Sequence, residues 1–414
     1  MISGYARIIS KRKMSKSLFF DVRFEENIIQ CIAEKGCVEN FSFLKSLSIG
    51  SVIFIEGNHC DSATGTPSIQ LSLCKLISPC HISMPDKSHG MTDMLRGKNR
   101  ALDLISNDNS YQFFSLLSEA IRTIRNLLSQ AGFNEFPTGL LQSNFGGGLA
   151  SAFVTKCNAN GRQYALSLTS ELKLKKLIAG GFNRVYEITQ SFRNEGIDGE
   201  HFPEFTALEA YLVGDSLDQL YQFLEEIFRK LLATDTSGTL RNVVDSDNVQ
   251  LNHLTFVEAM DIACSVRNPT LSSLVSSNSE LFDEEMHGFT WVYKCITKII
   301  APHFIVPTLI SEVPHEFNPF CKIVENSTQQ SVLVAGGLHI ATLSVDEHDL
   351  EKVLPQLTNQ AEETGISINQ ELLELYKIGL PPITGIGVGI NRLAMLFLPL
   401  EKRRIRNSIL FPFV

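Results

Sequence analysis

The sequence predicts an α+β protein with a small β-barrel at its N-terminus and a larger domain built from a sheet and helices. Residues 1–80 contain short runs rich in Ile, Val and Phe that are cut by Gly, Asn and Ser. Residues 185–211 read as strand, polar turn and strand, and residues 110–131 carry a helical pattern. We therefore expect a barrel over 1–80, a linker over 81–108 and the main domain over 109–414.

The composition excludes several classes of protein. The chain has 414 residues, 44% of them hydrophobic, which suits two or three domains with sizeable cores. No apolar run approaches the roughly 18 residues of a membrane span, and Lys11, Arg12 and Lys13 come too early for a signal peptide. The nine cysteines are scattered without a CxxC pair, which indicates reduced thiols. We expect a cytoplasmic protein without a membrane partner, a zinc site or a disulfide framework.

The charge is unevenly distributed along the chain. The net charge is −9, yet residues 1–80 hold 9 Lys and Arg against 7 Asp and Glu. The remainder holds 27 against 38. A mildly basic N-terminal module on an acidic body fits an RNA-reading appendage, and no DNA partner is expected.

Five short runs predict the strands of the N-terminal barrel. These runs contain period-two apolar positions, and a helical connection is expected near Phe41 to Leu47. Phe19 and Phe20 are neighbours in the second run, and an assignment of both rings to the barrel core stays open. We assign Phe20 to the core. The runs are SGYARIIS, KSLFFDVRF, NIIQCIA, GSVIFIEGN and PSIQLSLCKLI.

Residues 110–131 predict an amphipathic helix at the start of the main domain. Asn109 or Ser110 is expected to cap its beginning, and Gly132 its end. Residues 171–179 predict a shorter helix that is closed by Gly180 and Gly181. The apolar stripe of the long helix comprises Phe113, Leu117, Ala120, Ile121, Ile124, Leu127 and Leu128.

The strand–turn–strand segment brings polar groups to one surface. Period two places Arg193 with the other polar residues of the first strand, and Phe205, Glu209 and Tyr211 on one face of the second. A guanidinium suits a phosphate and an aromatic ring suits an adenine face, while His201 suits the outer phosphates. An ordinary hairpin with a solvated charged face explains the pattern equally well.

Four segments resemble those of the class II aminoacyl-tRNA synthetases, and of the lysyl-tRNA synthetases most closely. FRNEGIDGEHFPEFTALEAY (192–211) resembles motif 2, GIGVGINRLAML (385–396) motif 3 and GFNEFPTGLL (132–141) motif 1. RGKNRALDLISN (96–107), with SMPDKSHGMTD (83–93), is similar to the linker of that family. The resemblance implies an oligonucleotide-binding barrel that reads an anticodon, and a catalytic domain with an antiparallel sheet flanked by helices.

The resemblance also implies roles for individual residues and a homodimer built on the long helix. ATP is the expected cofactor, with Arg193 and Arg392 as catalytic residues that clamp its phosphates. An amino acid and tRNA, or another acceptor, are the expected partners. The ATP-binding residues would be Arg193, Glu195, His201, Phe205 and Arg392; the amino-acid site Glu171, Tyr211, Asp346, Thr342 and Gly148; and the RNA contacts Phe19 and Gln30.

The segment VLVAGGLHIATLSVD (332–346) departs from the lysyl pattern. Val332 and His339 stand where the family has two carboxylates that hold magnesium, and neither is a suitable ligand for a hard cation. Magnesium is therefore an expected cofactor whose protein ligands are largely missing. Asp346 stands where the family binds the lysine ε-ammonium with Glu, while Thr342 and Ser344 replace larger pocket residues. The pocket is expected to be more open than in a lysyl enzyme.

Two functions fit these observations. The first is an ATP-dependent ligase that forms an aminoacyl-adenylate from lysine or a related amine-bearing amino acid and transfers it to tRNA or another acceptor. The second is a non-catalytic synthetase paralogue that binds RNA, an amino acid or a protein as a regulator. Val332, His339 and Asn391 favour the second function, whereas the set Arg193, Glu195, His201, Phe205 and Arg392 favours the first.

Overall fold

The chain, as a computed structural model, divides into two compact units. One unit comprises Met1–Gln112 with Leu410–Val414, and the other comprises Phe113–Ile409. The boundary between the units falls inside the long helix. The structure describes residues 1–39, 41–85, 91–143, 150–235, 237–244, 249–265, 288–325, 327–364 and 368–413.

The first unit contains the predicted five-stranded closed barrel, in the order β1-β2-β3-β5-β4. Side chains alternate between the inside and the outside of the barrel, and Phe20 is fully buried as predicted. Helix α1 lies between β3 and β4, where the helical connection was expected. The elements are β1 (Ile2–Lys13), β2 (Ser17–Phe24), β3 (Asn27–Glu34), α1 (Phe41–Leu44), β4 (Val52–Asp61) and β5 (Pro67–Ser78).

Three helices follow the barrel: α2 (Asp93–Lys98), α3 (Arg100–Ser106) and the predicted long helix α4 (Asp108–Gln130). The predicted caps at Asn109 and Ser110 are wrong. Helix α4 begins two residues earlier, and the side chain of Asn107 accepts a hydrogen bond from the Ser110 backbone N–H at 3.4 Å. Gly132 has a φ of 78°, a left-handed conformation that suits the residue after a helix end.

The second unit is built on an eight-stranded sheet in the order β12-β13-β16-β17-β18-β11-β10-β6. Neighbouring strands are antiparallel except for the outermost pairs, β12–β13 and β10–β6, which are parallel. The predicted antiparallel sheet is thus confirmed in its interior. The strands are β6 (Asn134–Glu135), β10 (Arg184–Phe192), β11 (Glu204–Val213), β12 (Asn252–Thr255), β13 (Thr308–Ser311), β16 (Gln330–Ala335), β17 (Leu338–Asp346) and β18 (Ile383–Gly389).

Two small sheets accompany the large one. The first has the order β7-β9-β8, and the second is the pair β14–β15. Their strands are β7 (Leu141–Gln142), β8 (Val154–Lys156), β9 (Gln163–Leu166), β14 (Ile323–Val324) and β15 (Ser327–Thr328).

Helices cover the large sheet and bury three apolar clusters. The first cluster lies between α4, α6 and the sheet, the second includes α7 and α8, and the third includes α5, α9 and α10. The helices are α5 (Glu171–Ala179), α6 (Asp218–Thr234), α7 (Phe256–Cys264), α8 (Gly288–Lys294), α9 (Leu350–Thr364), α10 (Gln370–Ile378), α11 (Ile390–Met395) and α12 (Ile405–Ser408).

Shorter helical turns join several of these elements. A π-helix, Cys295–Ile300, continues directly from α8. The 3₁₀ turns are Leu240–Asn242, Ala301–His303, His315–Phe317 and Leu400–Lys402. Among the helices described, none is both long enough and apolar enough to cross a membrane.

Candidate active site

The centre of the candidate site is the β10–β11 hairpin with Arg193 and Phe205. Strand register pairs Ser191 with Phe205, and Arg193 lies just beyond the end of β10. The Arg193 guanidinium lies over the Phe205 ring, 5.3 Å from its centroid. Its side chain is exposed and has no hydrogen bond or ion pair to any residue that the structure describes. An aromatic face and a free planar cation therefore meet at an open surface.

Protein atoms nevertheless surround the Arg193 guanidinium closely. Desolvation lowers its pKa from the ordinary arginine value, and the positive charge of Arg392 acts in the same direction. The carboxylate of Glu195 opposes this shift. Arginine stays charged in proteins at neutral pH, so this crowding leaves Arg193 as a cation that is poorly solvated and suited to bind an anion.

Arg392, on α11, has a protein partner at each nitrogen of its guanidinium. Its Nε donates to the Glu200 carbonyl at 3.3 Å, and its Nη1 donates to the His339 carbonyl at 3.2 Å. Its Nη2 lies 3.1 Å from His201 Nε2. The three nitrogens of this guanidinium thus all have protein partners, in contrast to those of Arg193.

His201 joins Arg392 to a residue that the sequence analysis missed. Its Nε2 lies 2.6 Å from the Tyr293 hydroxyl, and its Nδ1 lies 2.8 and 2.9 Å from the Asp198 carboxylate oxygens. Because arginine can only donate, Nε2 accepts from Arg392, and the Nδ1 proton faces Asp198. Burial alone would raise the pKa of Asp198, but the Glu200 N–H and the His201 ring outweigh it and lower that pKa.

Tyr293 belongs to a row of aromatic rings, Phe289, Tyr293 and Phe317, which we call the aromatic stack. Phe289 lies 5.6 Å from Tyr293 and 5.5 Å from Phe317, with interplanar angles of 18° and 12°. The row continues to the His339 ring, 6.1 Å from Phe317. Burial, and then the charge of Arg392, lower the pKa of His339 to about 3, so its imidazole is neutral at pH 7.

The positions at which the family holds magnesium do not fit that ion. Val332 is 0% exposed and lies in the apolar cluster of Phe256, Val292 and Ile310. The Nε2 of His339 contacts Thr342 Oγ1 at 3.0 Å. No group of three or more His, Cys, Asp or Glu side chains that could hold a metal occurs among the described residues. Hard cations prefer several oxygen ligands, which these residues do not supply.

The amino-acid end of the site contains a second residue that the sequence analysis missed, Lys175. Its ammonium lies 2.6 Å from Glu171 Oε1 and 2.6 Å from Asp346 Oδ2, and the residue is only 2% exposed. The rings of Tyr211 and Phe320 lie 5.5 and 5.0 Å away. Burial alone would lower the pKa of Lys175, but Asp346 and Glu171 outweigh it and raise that pKa. Lys175 is therefore a buried cation.

Glu209 adds a third carboxylate beside Glu171. Its two oxygens accept hydrogen bonds of 2.6 Å from the Thr169 and Tyr211 hydroxyls. Burial, and then the charge of Glu171, raise its pKa. Tyr211 is held against Gly385 of β18, where a Cβ atom would lie 2.5 Å from the ring. Gly385, the first glycine of the motif 3 segment, thus leaves room for the Tyr211 ring.

The remaining predicted residues occupy both units. Glu195 is exposed beside Arg193. Thr342 directs its hydroxyl to His339, whereas Gly148 lies outside the described residues. Phe19 and Gln30 share the outer surface of the barrel, since β2–β3 pairing sets Phe19 opposite Ile32 and Asp21 opposite Gln30. Phe19 is partly exposed beneath the Arg12 guanidinium, 5.9 Å away.

A sequence signal existed for one of the two missed residues. Lys175 stands four residues after Glu171, the spacing at which helical side chains meet, so their ion pair was predictable. The pairing with Asp346 was not, because it joins α5 to the end of β17. Tyr293 carried no local signal, since its partner His201 is 92 residues away.

Comparison with known proteins identifies the relatives of this chain. Residues 92–414 match the family model described as tRNA synthetases class II (D, K and N). A lysine–tRNA ligase of Dehalococcoides mccartyi strain CBDB1 is 30% identical over 98% of this chain and 86% of its own length. One of Buchnera aphidicola subsp. Acyrthosiphon pisum is 30% identical over 99% and 85%. One of Fervidobacterium nodosum is 29% identical over 100% and 84%.

Proposed function

Because this chain belongs to the class II tRNA synthetases of the D, K and N group, and is lysyl-tRNA synthetase-like over nearly its whole length, we propose that it is an ATP-dependent ligase. It forms an aminoacyl-adenylate and transfers the amino acid to tRNA. The observation that carries this proposal is the free Arg193 guanidinium over Phe205, next to the carboxylates of Glu171 and Glu209. A phosphate, an adenine and an α-ammonium each have a matching group there.

The chemistry requires positioning and charge stabilisation by these residues. Adenylation is an in-line attack of the amino-acid carboxylate on the α-phosphate, with pyrophosphate as the leaving group. Arg193 binds the α-phosphate and stabilises the charge that develops on its oxygens, while Phe205 stacks on the adenine. Glu171 and Glu209 accept the α-ammonium. In this family magnesium neutralises phosphate charge, but Val332 and His339 supply no site for it, so we derive no step through the metal.

The amino acid we propose is lysine or a related amine-bearing one. Asp346 supports this choice, because its carboxylate favours a cationic side chain while Glu171 accepts the α-ammonium. Lys175 already forms an ion pair with both Glu171 and Asp346, so an incoming amine competes with the Lys175 ammonium for Asp346. The affinity for lysine is therefore lower than in a pocket whose carboxylates are unpaired.

The acceptor we propose is tRNA, read by the barrel. A partly exposed Phe19 and the neighbouring Gln30 and Arg12 give the outer surface a ring for base stacking, a side-chain amide and a cation. We also propose that the chain forms a homodimer through the segment around α4, and that the linker 81–108 joins the barrel to the catalytic domain.

A non-catalytic role is the second candidate, and one specific observation favours it. Val332 is buried in an apolar cluster instead of facing the phosphates, and each of the three nitrogens of the Arg392 guanidinium already has a protein partner. A paralogue of this kind would bind RNA, an amino acid or a protein as a regulator without making the adenylate. The two candidates differ in whether pyrophosphate exchange occurs.

ATP–pyrophosphate exchange with each of the twenty amino acids tests the ligase. We expect exchange with lysine or another amine-bearing amino acid, and at least a tenfold loss in Arg193→Ala, since a charged hydrogen bond contributes about 1.5–3 kcal/mol. Arg229→Ala, at an exposed surface arginine, is the matched control and should exchange normally. Absence of exchange with all twenty amino acids would overturn the ligase and leave the non-catalytic role.

A further inference from the structure

The phosphate end of the site is closed by groups of the protein itself. His201 and Arg392 are the polar side chains best suited to contact phosphates beyond the one at Arg193. They are bonded to each other and, through His201, to the Tyr293 hydroxyl at 2.6 Å. The backbone N–H of Thr206, the residue after Phe205, donates at 2.6 Å to the side chain of Asn391, the residue before Arg392, so these groups lie beside the predicted nucleotide position.

We propose that Tyr293 is a specificity-determining residue that competes with the outer phosphates of a nucleoside triphosphate. The site then favours a nucleoside monophosphate unit, as in AMP or an aminoacyl-adenylate, over ATP. This inference rests on the proposed function for the location of the nucleotide over Phe205.

Hydrogen bonding is the first reason. A phosphate oxygen accepts hydrogen bonds, and His201 Nε2 also accepts, because Arg392 donates to it and Nδ1 faces Asp198. To contact an outer phosphate through Nε2, His201 must gain a proton or change its tautomer, and Arg392 must share its guanidinium between that phosphate and its protein partners or give up one of them. Each of these changes weakens hydrogen bonds that His201, Tyr293 and Arg392 already make with one another.

Charge is the second reason. The carboxylate of Glu200 lies in the same loop as His201, and its only recorded ion pair among the described residues is with Lys298 at 3.8 Å. The Glu200 carbonyl accepts from Arg392, so this acidic residue is next to the guanidinium that would bind a γ-phosphate. A triphosphate would bring further negative charge close to that carboxylate, which is unfavourable in a partly buried site.

Shape is the third reason. The aromatic stack, with rings 5.5 to 5.6 Å apart, packs from Tyr293 to Phe317 and onto His339. Behind it, Val332 and the side chains of α7 and α8 form an apolar cluster. Phosphate oxygens bound on this side would face carbon atoms and a neutral imidazole instead of a metal or an ammonium group.

The position at Arg193 lacks these obstacles. Its guanidinium carries no competing hydrogen bond or ion pair among the residues described, and it already lies over the ring that would stack on the adenine. A nucleotide with a single phosphate uses this position alone and leaves the contacts of Tyr293, His201 and Arg392 unchanged.

Calorimetric titration of the full-length protein with ATP and with AMP tests the proposal. For the wild type we expect AMP to bind at least as tightly as ATP. In Tyr293→Phe the hydroxyl is removed and the ring is kept, so ATP should bind about fivefold more tightly, the scale of one net hydrogen bond, while AMP changes by less than about twofold. Tyr164→Phe is the matched control, because the Tyr164 hydroxyl contacts only Asn160 among the described residues.

The outcomes separate this proposal from the proposed function. ATP binding tenfold more tightly than AMP in the wild type, or an equal change of both affinities in Tyr293→Phe, would overturn the role of Tyr293 and leave the ligase intact. Binding of neither nucleotide would refute both proposals. If Tyr293 had only a structural role, its substitution would not change the ratio of the ATP affinity to the AMP affinity. Tyr293→Ala, which also removes the ring, should raise the ATP affinity further.

Discussion

Arg193 and Arg392 bring the same functional group to one site, but the protein treats them differently. Arg193 lies over Phe205 with its guanidinium unpaired among the described residues, whereas Arg392 donates to Glu200, His339 and His201. In the sequence both are arginines of matching motifs, so both were predicted to bind phosphates. The comparison teaches that a binding residue is available only if its neighbours leave its donors free, and those neighbours come from distant parts of the chain.

The amino-acid end of the site behaves like the Arg392 end. Lys175 neutralises Glu171 and Asp346 there, as Tyr293 occupies His201 at the phosphate end. Between these two ends, Arg193 and Phe205 stay open. The polar groups at both ends of the site are therefore bonded to other protein groups, whereas those in its centre are not. Substitutions that remove the protein partner at each end test this contrast.

The largest effect is expected from Val332→Glu, which tests whether the phosphate end is occupied by protein groups or is a metal site that has lost its carboxylate. In the second case, the contrast between the two ends and the centre of the site would not hold. Val332 is 0% exposed in an apolar cluster, so an unpartnered carboxyl group should lower the free energy of unfolding by about 4 kcal/mol or more. Urea denaturation followed by Trp291, the single tryptophan and a neighbour of this cluster, measures the loss.

Val324→Glu is the control for that substitution, because Val324 is 41% exposed and should tolerate the change within about 0.5 kcal/mol. The loss in Val332→Glu should shrink at pH 5, where the buried carboxyl is protonated. A stable Val332→Glu protein that gains magnesium-dependent nucleotide binding would show that position 332 faces the phosphates.

A smaller effect is expected from Lys175→Met, which opens the amino-acid end. Removing one partner of a buried ion pair should lower the free energy of unfolding by about 3 kcal/mol, and Lys176→Met, at an exposed lysine, should cost little. Lysine and ornithine should then bind more tightly, because their amine replaces the missing ammonium. Unchanged affinity for lysine and ornithine would show that Lys175 does not compete with an amine ligand for Asp346.

The pH dependence of this ion pair is determined by the pKa of Lys175. Its folded-state pKa is raised above the ordinary lysine value of 10.5, so the folded protein keeps the proton that the unfolded chain loses first. The stabilisation by Lys175 is fully present below pH 10.5 and is lost as the pH rises further. Wild type and Lys175→Met should therefore keep a constant stability difference from pH 7 to 9.

The smallest effect is expected on AMP binding, and it sharpens the comparison of the two arginines. Arg193→Ala should weaken AMP binding by about 1.5–3 kcal/mol, because it removes a charged contact to the phosphate. Arg392→Ala should change AMP binding by less than about 0.5 kcal/mol, since Arg392 is used by the protein. Equal losses in the two variants, measured by calorimetry, would remove the distinction.

Much of the architecture was readable from the sequence because local patterns determine it. The period-two runs and the turn residues between them predicted the barrel, and the 3.6-residue period predicted α4 and α5. The start of α4 was wrong by two residues because Asn109 and Ser110 have the same capping chemistry as Asn107. Boundaries depend on such near-equal alternatives.

The site was readable only in part, for a different reason. The hairpin gave Arg193 and Phe205 together, since strand pairing brings them into contact. The partners of Arg392, His201 and Asp346 could not be read, because they arise from packing between elements far apart in the chain. The roles of the predicted site residues stay predictions until the effects of these substitutions are measured.

The π-helix Cys295–Ile300 begins two residues after Tyr293. The number of residues in this helix therefore affects the direction in which Tyr293 points, and with it the proposed closure of the phosphate end. Each residue turns an α-helix by about 100°, so a wide turn resets the angle between the helical residues on its two sides. Here it lets Tyr293 face His201 while Ile299 and Ile300 remain in the apolar cluster. Deleting one residue from this turn would swing the tyrosine away without altering a single site residue. Insertions and deletions in this helix, and not substitutions alone, are thus expected to open or close this site.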